Sequence, residues 1–432
     1  MRNERPALPH SSSLIPHPSF DLTRLPVDAV ELQARIDRLG QIGPHPEGGL
    51  FRTLYDDAWA QAMALLQSWL DEAGLESRFD AVGNLYGRVA GADSSRVVMS
   101  GSHVDTVKRG GKYDGALGIH VAMAAVKALA ETCGRPRRAI EVLVTCEEEG
   151  SRFAASFWGA RAIVGAIQAA EAERIVDSNG VTIGEAMRKR GFDPARIGEA
   201  ERRDVAAFVE CHIEQGAILE REGYPLGVVS TITGQRWLRV RVSGRQDHAG
   251  TTPMDLRRDA MAGAATMIDR LTLAAAEMGR PAVATVGRIV ASPGAINIVP
   301  GACEFTVDSR HSDPARRLEL LSTIERLCAE VARERGLGLE LETLMDHEPV
   351  PMSPQIQAVL EETIERLGLR YLVMPSGAGH DSEILAERFP TAMLFVPSRD
   401  GRSHTPEEYT PIEQIVPAVR VLAGALHRLA WQ

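Results

Sequence analysis

Six patterned stretches between residues 236 and 346 decide the architecture: RWLRVRV (236–242), DAMAGAATMIDRL (259–271), AVATVGRIV (282–290), EFTVDSR (304–310), RRLELLSTIERLCAEVARE (316–334) and LGLELETL (337–344). The first, third, fourth and sixth read as strands; the second and fifth place apolar residues at helical spacing. The order is β-α-β-β-α-β, the ferredoxin-like order, in about 110 residues, which is long enough for a separate small domain. On both sides of it the pattern is different. Before it come the buried strands Arg96–Ser100, Ala139–Cys146 and Val205–Cys211 and the helical run Ala116–Leu129; after it come a helix at Gln355–Leu367, a buried strand at Thr391–Val396 and a helix at Ile412–Leu429. Strands alternating with longer helices indicate an α/β layer. The economical reading is one α/β catalytic domain (25–232 and 347–432) interrupted by an α+β insert (233–346), with a loose N-terminal extension at 1–24.

Composition narrows the function classes. The chain has 432 residues and a net charge of −10. An acidic chain is a poor match for a phosphate backbone, so nucleic acid is not the expected partner. The five cysteines (Cys133, Cys146, Cys211, Cys303, Cys328) are odd in number and include no zinc-finger spacing, which points away from a disulfide scaffold and toward a reducing cytoplasm. No unbroken apolar run reaches the roughly 18 residues of a membrane span. The Pro/Ser-rich stretch 1–20 lacks the apolar core of a signal peptide, and its His10 and His17 read as solvated.

Chemistry concentrates where strands end. G-S-H-V-D-T (101–106) follows a buried strand and presents His103; Asp105, two residues on, is placed to fix the tautomer of that imidazole. K-Y-D-G (112–115) sets Asp114 at the entrance to a helix, where it either caps the helix or bridges two cations. C-E-E-E-G (146–150) follows an apolar strand. Adjacent carboxylates repel, so a solvated turn competes with a site. The site reading takes Glu149 as a metal ligand and Glu148 as the general base. E-C-H-I-E-Q-G (210–216) and S-H-T-P-E-E-Y (403–409) add His212 and His404, again after apolar strands. A lone histidine is usually structural; four such strand ends are harder to dismiss. His103, Asp114, Glu149, His212 and His404 offer three nitrogens and two carboxylates, a set suited to Zn²⁺ or Mn²⁺, with Co²⁺ or Ni²⁺ also acceptable. One bridging carboxylate among five ligands describes a two-metal site.

The insert has its own polar residues: Gln235, His248 in Q-D-H-A-G-T-T-P, Asn297 in P-G-A-I-N-I-V-P-G, and Arg310. Each reads individually as a cap, turn or surface residue. As a group they could instead form an amide and anion pocket, with Arg310 suited to grip a carboxylate and His248 to stabilise an oxyanion. In S-G-A-G-H-D, His380 and Asp381 read as supports rather than ligands.

These motifs, with H-A-G-T-T-P-M, G-Q-R-W and V-P-S-R-D-G-R-S-H-T-P-E-E-Y, resemble the amidase, hydantoinase and carbamoylase branch of the aminoacylase-like metallopeptidases, from about residue 30 onward. The resemblance implies an insert that closes the site and mediates a homodimer, and a two-metal centre held by His103, Asp114, Glu149, His212 and His404. It implies Glu148 as the base and Gln235, His248, Asn297 and Arg310 as substrate-binding residues, the histidine from either subunit. S-F-W-G-A-R, D-S-R-H-S-D and M-D-H-E-P-V-P-M look most like the members that act on allantoate, a ureide of purine catabolism. N-Carbamoyl-L-amino-acid hydrolases and β-ureidopropionases share the core motifs; aminoacylases and aminopeptidases stand further off. A non-catalytic relative would have lost a ligand or the base, and all six are present. The expectation is a cytoplasmic amidohydrolase for a small ureido substrate bearing a carboxylate, with neither nucleic acid nor membrane as partner.

Overall fold

Strand Asp93–His103 lies between Arg138–Thr145 and Val205–Ile213, parallel to both, and Thr391–Val396 continues the parallel run beside Val205–Ile213. In the computed structural model, which describes residues 21–432, these four strands form the middle of a nine-stranded mixed sheet. Their apolar runs are almost wholly buried, as strands covered on both faces require. Antiparallel strands Glu76–Phe79 and Leu85–Val89 extend one edge; Gly227–Ile232 and Val350–Pro351 extend the other.

Helix Ala116–Cys133 packs on the sheet beside helix Ile412–Ala430. It is the one helix among the described residues long and apolar enough to cross a bilayer, and 67% of that window is buried in the core. Gly118 permits the close approach, since a Cβ there would sit 2.3 Å from the Cys211 carbonyl oxygen. The stretch read as a loose extension divides in two. Residues 1–20, with His10 and His17, lie outside the described residues, whereas Leu22 is buried beside Gly424 of the last helix.

Residues 234–347 build a second sheet of their own. Strands Gly234–Ser243, Val283–Ser292, Ala302–His311 and Gly338–His347 pair antiparallel in the order fourth, first, third, second. Helices Ala260–Met278 and Pro314–Glu334 cover one face over a core that includes Leu238, Val240, Phe305, Met267 and Ile324, separate from the main core. The first helix continues past Leu271 because Ala274, Ala275 and Ala276 are good helix formers. The opposite face follows the period-two alternation and carries ion pairs such as Arg241–Glu304 (3.1 Å) and Arg239–Glu342 (2.9 Å).

Candidate functional site

The carboxyl ends of the four central strands meet on one edge of the main sheet, the edge at which open α/β sheets build sites. His103 closes its strand and His212 stands one residue from the end of the next. The turn after Thr145 carries Glu147 to Glu149, and the loop after Val396 carries His404. Asp114 enters from the start of helix Ala116–Cys133. Gly115 makes room for it: its φ is +64°, and a Cβ would lie 2.4 Å from the His103 ring.

Three imidazoles converge on one carboxylate. Asp114 Oδ1 is 3.5 Å from His103 Nε2 and 3.2 Å from His212 Nε2, and Asp114 Oδ2 is 3.4 Å from His404 Nε2. Glu149 stands 3.5 Å from the same His404 nitrogen. The other ring nitrogens of the two buried histidines are already committed. His103 Nδ1 meets the Asp105 carbonyl at 3.1 Å and its carboxylate at 3.3 Å; His212 Nδ1 meets the Ile213 carbonyl at 2.9 Å. A carbonyl only accepts, so Nδ1 carries the proton and Nε2 turns a lone pair toward Asp114. Without a cation, both buried rings would need a second proton to face that carboxylate. With one, the tautomer is the one a metal takes.

Four groups of donors lie close enough to hold a cation, and two of them share Asp114: His103, Asp114 and His212, and Asp114, Glu149 and His404; the others are His103, Glu148 and Glu149, and Glu210, His212 and His380. Nitrogen and carboxylate oxygen in that proportion fit Zn²⁺ or Mn²⁺. The electrostatics agree. Burial opposes charge on His103, but the Asp105 and Asp114 carboxylates raise its pKa well above the usual value. Burial likewise opposes ionisation of Asp114, and the three imidazoles hold it well below the carboxylate range. Hydrogen bonding to Asp114 lifts His404 to about 9, and burial with the Asp114 charge lifts Glu149 to about 7. So many mutually raised and lowered groups in one cleft mark a functional site rather than a stabilising one.

The three consecutive glutamates separate. Glu147 turns into the protein, accepting the backbone N–H groups of Leu54 and Ser151 at 3.2 Å each. Glu148 and Glu149 face a cavity of about 580 Å³ that also exposes His103, Asp114, His212, Gln235, Arg310 and His404. Burial pushes Glu148 well above the carboxylate range, a suitable setting for a group that must take and return a proton near neutrality. Asp105 holds this turn, accepting the N–H of Glu148 at 3.0 Å and of Glu149 at 3.1 Å.

Sequence reading overlooked three residues around Asp114. Gln215 Nε2 and Ser403 Oγ donate to its Oδ2 at 2.9 and 2.6 Å, and Glu408 accepts the N–H groups of Tyr113 and Asp114 at 2.8 and 2.9 Å. All three lie inside quoted motifs, in H-I-E-Q-G and S-H-T-P-E-E-Y, so the available signal was their place beside a ligand. Gln215 and His404 both adopt left-handed backbone, with φ of 59° and 57°, a strain that such sites retain. His380 is a support: its Nε2 meets Ser376 Oγ at 2.9 Å and its ring packs against His212. Asp381 accepts from Thr145.

The four polar residues of the insert fall into two pairs. Gln235 and Arg310 are cross-strand neighbours and both line the cavity. Arg310 also donates to the Gly377 carbonyl at 2.6 Å, bridging the insert to the main sheet's loops. His248 and Asn297 do not line the cavity. They adjoin each other at the short ladder His248–Ile298, where the Ala249 N–H donates to the Asn297 carbonyl at 3.0 Å, and both are exposed. Of the four expected to act together, the structure thus brings Gln235 and Arg310 to the cavity and leaves His248 and Asn297 away from it. His248 and Asn297 sit on a protruding ladder, where local turn bonds such as Gly250 N–H to His248 Nδ1 (3.0 Å) fix them facing outward.

Residues 99–428 match the model of a family described as peptidase family M20/M25/M40. The chain is 42% identical over 395 residues to an allantoate amidohydrolase of Escherichia coli strain K12, covering 91% of this chain and 96% of that one. It is 39% identical over 397 residues to an N-carbamoyl-L-amino-acid amidohydrolase of Pseudomonas sp. strain NS671, covering 90% and 96%. A crystal structure of an amidase of the hydantoinase/carbamoylase family from Burkholderia multivorans superposes with a TM-score of 0.89 at 34% identity, covering 94% and 99%.

Proposed function

Because the chain belongs to peptidase family M20/M25/M40, we propose that it is a two-metal amidohydrolase that cleaves the terminal C–N bond of a ureido group, with allantoate as its substrate. The observation that carries this reading is the convergence of three histidine Nε2 atoms on Asp114 beside a cavity-facing Glu148. Two divalent cations held by His103, Asp114, His212, Glu149 and His404 would supply Lewis-acid polarisation of the carbonyl and a more acidic water.

The protein's own groups do the rest. Glu148 takes a proton from the attacking water and returns it to the departing nitrogen. The bond from carbonyl carbon to terminal nitrogen breaks, releasing ammonia, and the carbamate left behind loses CO₂. Arg310 receives the substrate carboxylate. Three of its five N–H groups are engaged by Asp308 and Gly377, which leaves one on each terminal nitrogen for a ligand. Gln235 faces the same space with a buried Oε1 that has no partner among the described residues. The product of allantoate would be ureidoglycine, or ureidoglycolate after its further hydrolysis.

The insert serves as lid and dimerisation domain in this reading. Its outer strand Val283–Ser292 is largely exposed, with Ile289 and Val290 uncovered, and Ile296 stands out fully beside Asn297. Pairing of two such inserts would carry His248 and Asn297 to the partner's cavity, where His248 would stabilise the oxyanion. An N-carbamoyl-L-amino acid is the second candidate substrate, favoured by the 39% identical Pseudomonas relative.

The test is ammonia release by the Mn²⁺- or Zn²⁺-loaded protein from allantoate, N-carbamoyl-L-amino acids and β-ureidopropionate. A strong preference for allantoate supports the assignment. Preference for a carbamoyl amino acid moves the substrate but keeps the centre. Absence of ammonia from every ureide, with metal bound, overturns it.

A further inference from the structure

One wall of the cavity holds a buried carboxylate that the reaction does not use. Glu383 lines the cavity with its side chain only 9% exposed. It sits in the first turn of the short helix Asp381–Leu385, where a glutamate commonly binds back to the helix start. It does not do so here: among the described residues nothing donates a hydrogen bond to its carboxylate, and His347 Nδ1 stands 3.7 Å away. The carboxylate opens on the cavity, so a ligand that fills the cavity and displaces its water must supply donors in turn.

The facing wall is built in register. His347, Gln235 and Arg310 are direct cross-strand neighbours on three adjacent strands, so they stand in one row. Arg310 ends that row as a donor. Gln235 Oε1 is a buried acceptor without a partner among the described residues. The cavity therefore offers one anion receptor, two unsatisfied acceptors and one imidazole. Burial, with Glu387 nearby, raises Glu383 to about 7 against the opposing charge of Arg310, so N–H donors arriving there would favour its ionised form. Ligands that complement this set carry a carboxylate and a cluster of N–H donors on a neutral group. An aliphatic arm would leave both acceptors buried and unpaired.

We infer that Glu383, assisted by His347 and Gln235, is a specificity determinant that receives a second, uncleaved ureido or amide arm of the substrate. Two N–H groups of the arm meet the Glu383 carboxylate, and the arm's carbonyl meets His347. The inference rests on the ureido-hydrolase reading and extends it: the enzyme selects substrates whose carboxylate-bearing carbon carries two hydrogen-bonding arms.

The test compares kcat/KM for allantoate, N-carbamoyl-L-leucine and N-carbamoyl-L-lysine in the metal-loaded wild type, Glu383→Leu and Glu383→Gln. In Glu383→Leu, the ratio of kcat/KM on allantoate to that on N-carbamoyl-L-leucine should fall by roughly ten- to a hundredfold, with allantoate losing through KM and the leucine substrate gaining. Glu383→Gln, which keeps one acceptor and the shape, should fall between, and it carries the test if the leucine variant does not fold. Loss on both substrates in parallel, or an unmoved ratio, overturns the inference in favour of a structural role. A wild-type preference for the lysine substrate overturns it in favour of a cationic arm. Failure of the parent reading is distinguishable, because then the wild type releases ammonia from none of the three.

Discussion

Asp105 fastens Glu148 to the histidine it works beside: Asp105 Oδ1 accepts the Glu148 N–H at 3.0 Å and lies 3.3 Å from His103 Nδ1. One residue thus serves both: its carbonyl fixes the tautomer of a metal-ligand candidate, and its carboxylate supports that ring and positions the base. Asp105→Asn keeps the size but can oppose an amide N–H₂ to one of those donors. We expect metal affinity to drop by about 10- to 100-fold, and kcat to fall even at saturating metal. Metal titration and steady-state kinetics on one preparation check both; wild-type values for both would remove the role.

Glu148→Gln separates holding metal from moving the proton. Glu148 is not among the five assigned ligands, so the variant should bind two metals per subunit by elemental analysis. Its kcat should fall by about 10²- to 10⁴-fold, the usual worth of a positioned general base. Near-normal turnover would show that the base lies elsewhere.

The contrast between Glu148 and Glu147 shows what sequence made legible. The four strand-end motifs and the interrupted α/β pattern could be read because apolar strands, caps and spacing are local features. Which of three adjacent glutamates turns inward could not, because Leu54, 93 residues away, helps to decide it. The support of Asp114 by Gln215, Ser403 and Glu408 was hidden for the same reason: 101 to 294 residues separate these partners. Glu383 is a still stronger case, since a glutamate in a first helical turn looks like an ordinary cap until its carboxylate is seen to face the cavity.

Chelation should destabilise the fold. Glu148, Glu149, Asp105 and Asp114 crowd around the centre, and a cation bound only by the native state adds stability in proportion to its concentration over its dissociation constant. The melting temperature should fall with EDTA and recover with Mn²⁺ or Zn²⁺. Because Nδ1 of His103 and His212 is committed, a cation must replace any proton on Nε2. Metal uptake should therefore release protons, and affinity should tighten as pH rises from acid toward neutrality. Calorimetric titration in buffers of different ionisation enthalpy reads the proton count; zero release would contradict the ligand assignment.

His248 and Asn297 point outward from the insert, whereas Gln235 and Arg310 of the same insert line the chain's own cavity. If the exposed pair completes the partner's site, His248→Ala and Glu148→Gln should each be nearly inactive alone yet complement each other when mixed. In a mixed dimer, the His248→Ala subunit keeps its own Glu148 and faces an intact His248, while the other site lacks both. Random exchange of equal amounts makes half the dimers mixed with one working site each, so activity should return to about a quarter of wild type. Size-exclusion chromatography would confirm that the mixture is dimeric and exchanged. Inactivity of an exchanged mixture would place His248 on its own subunit's site, reached by closure of the insert.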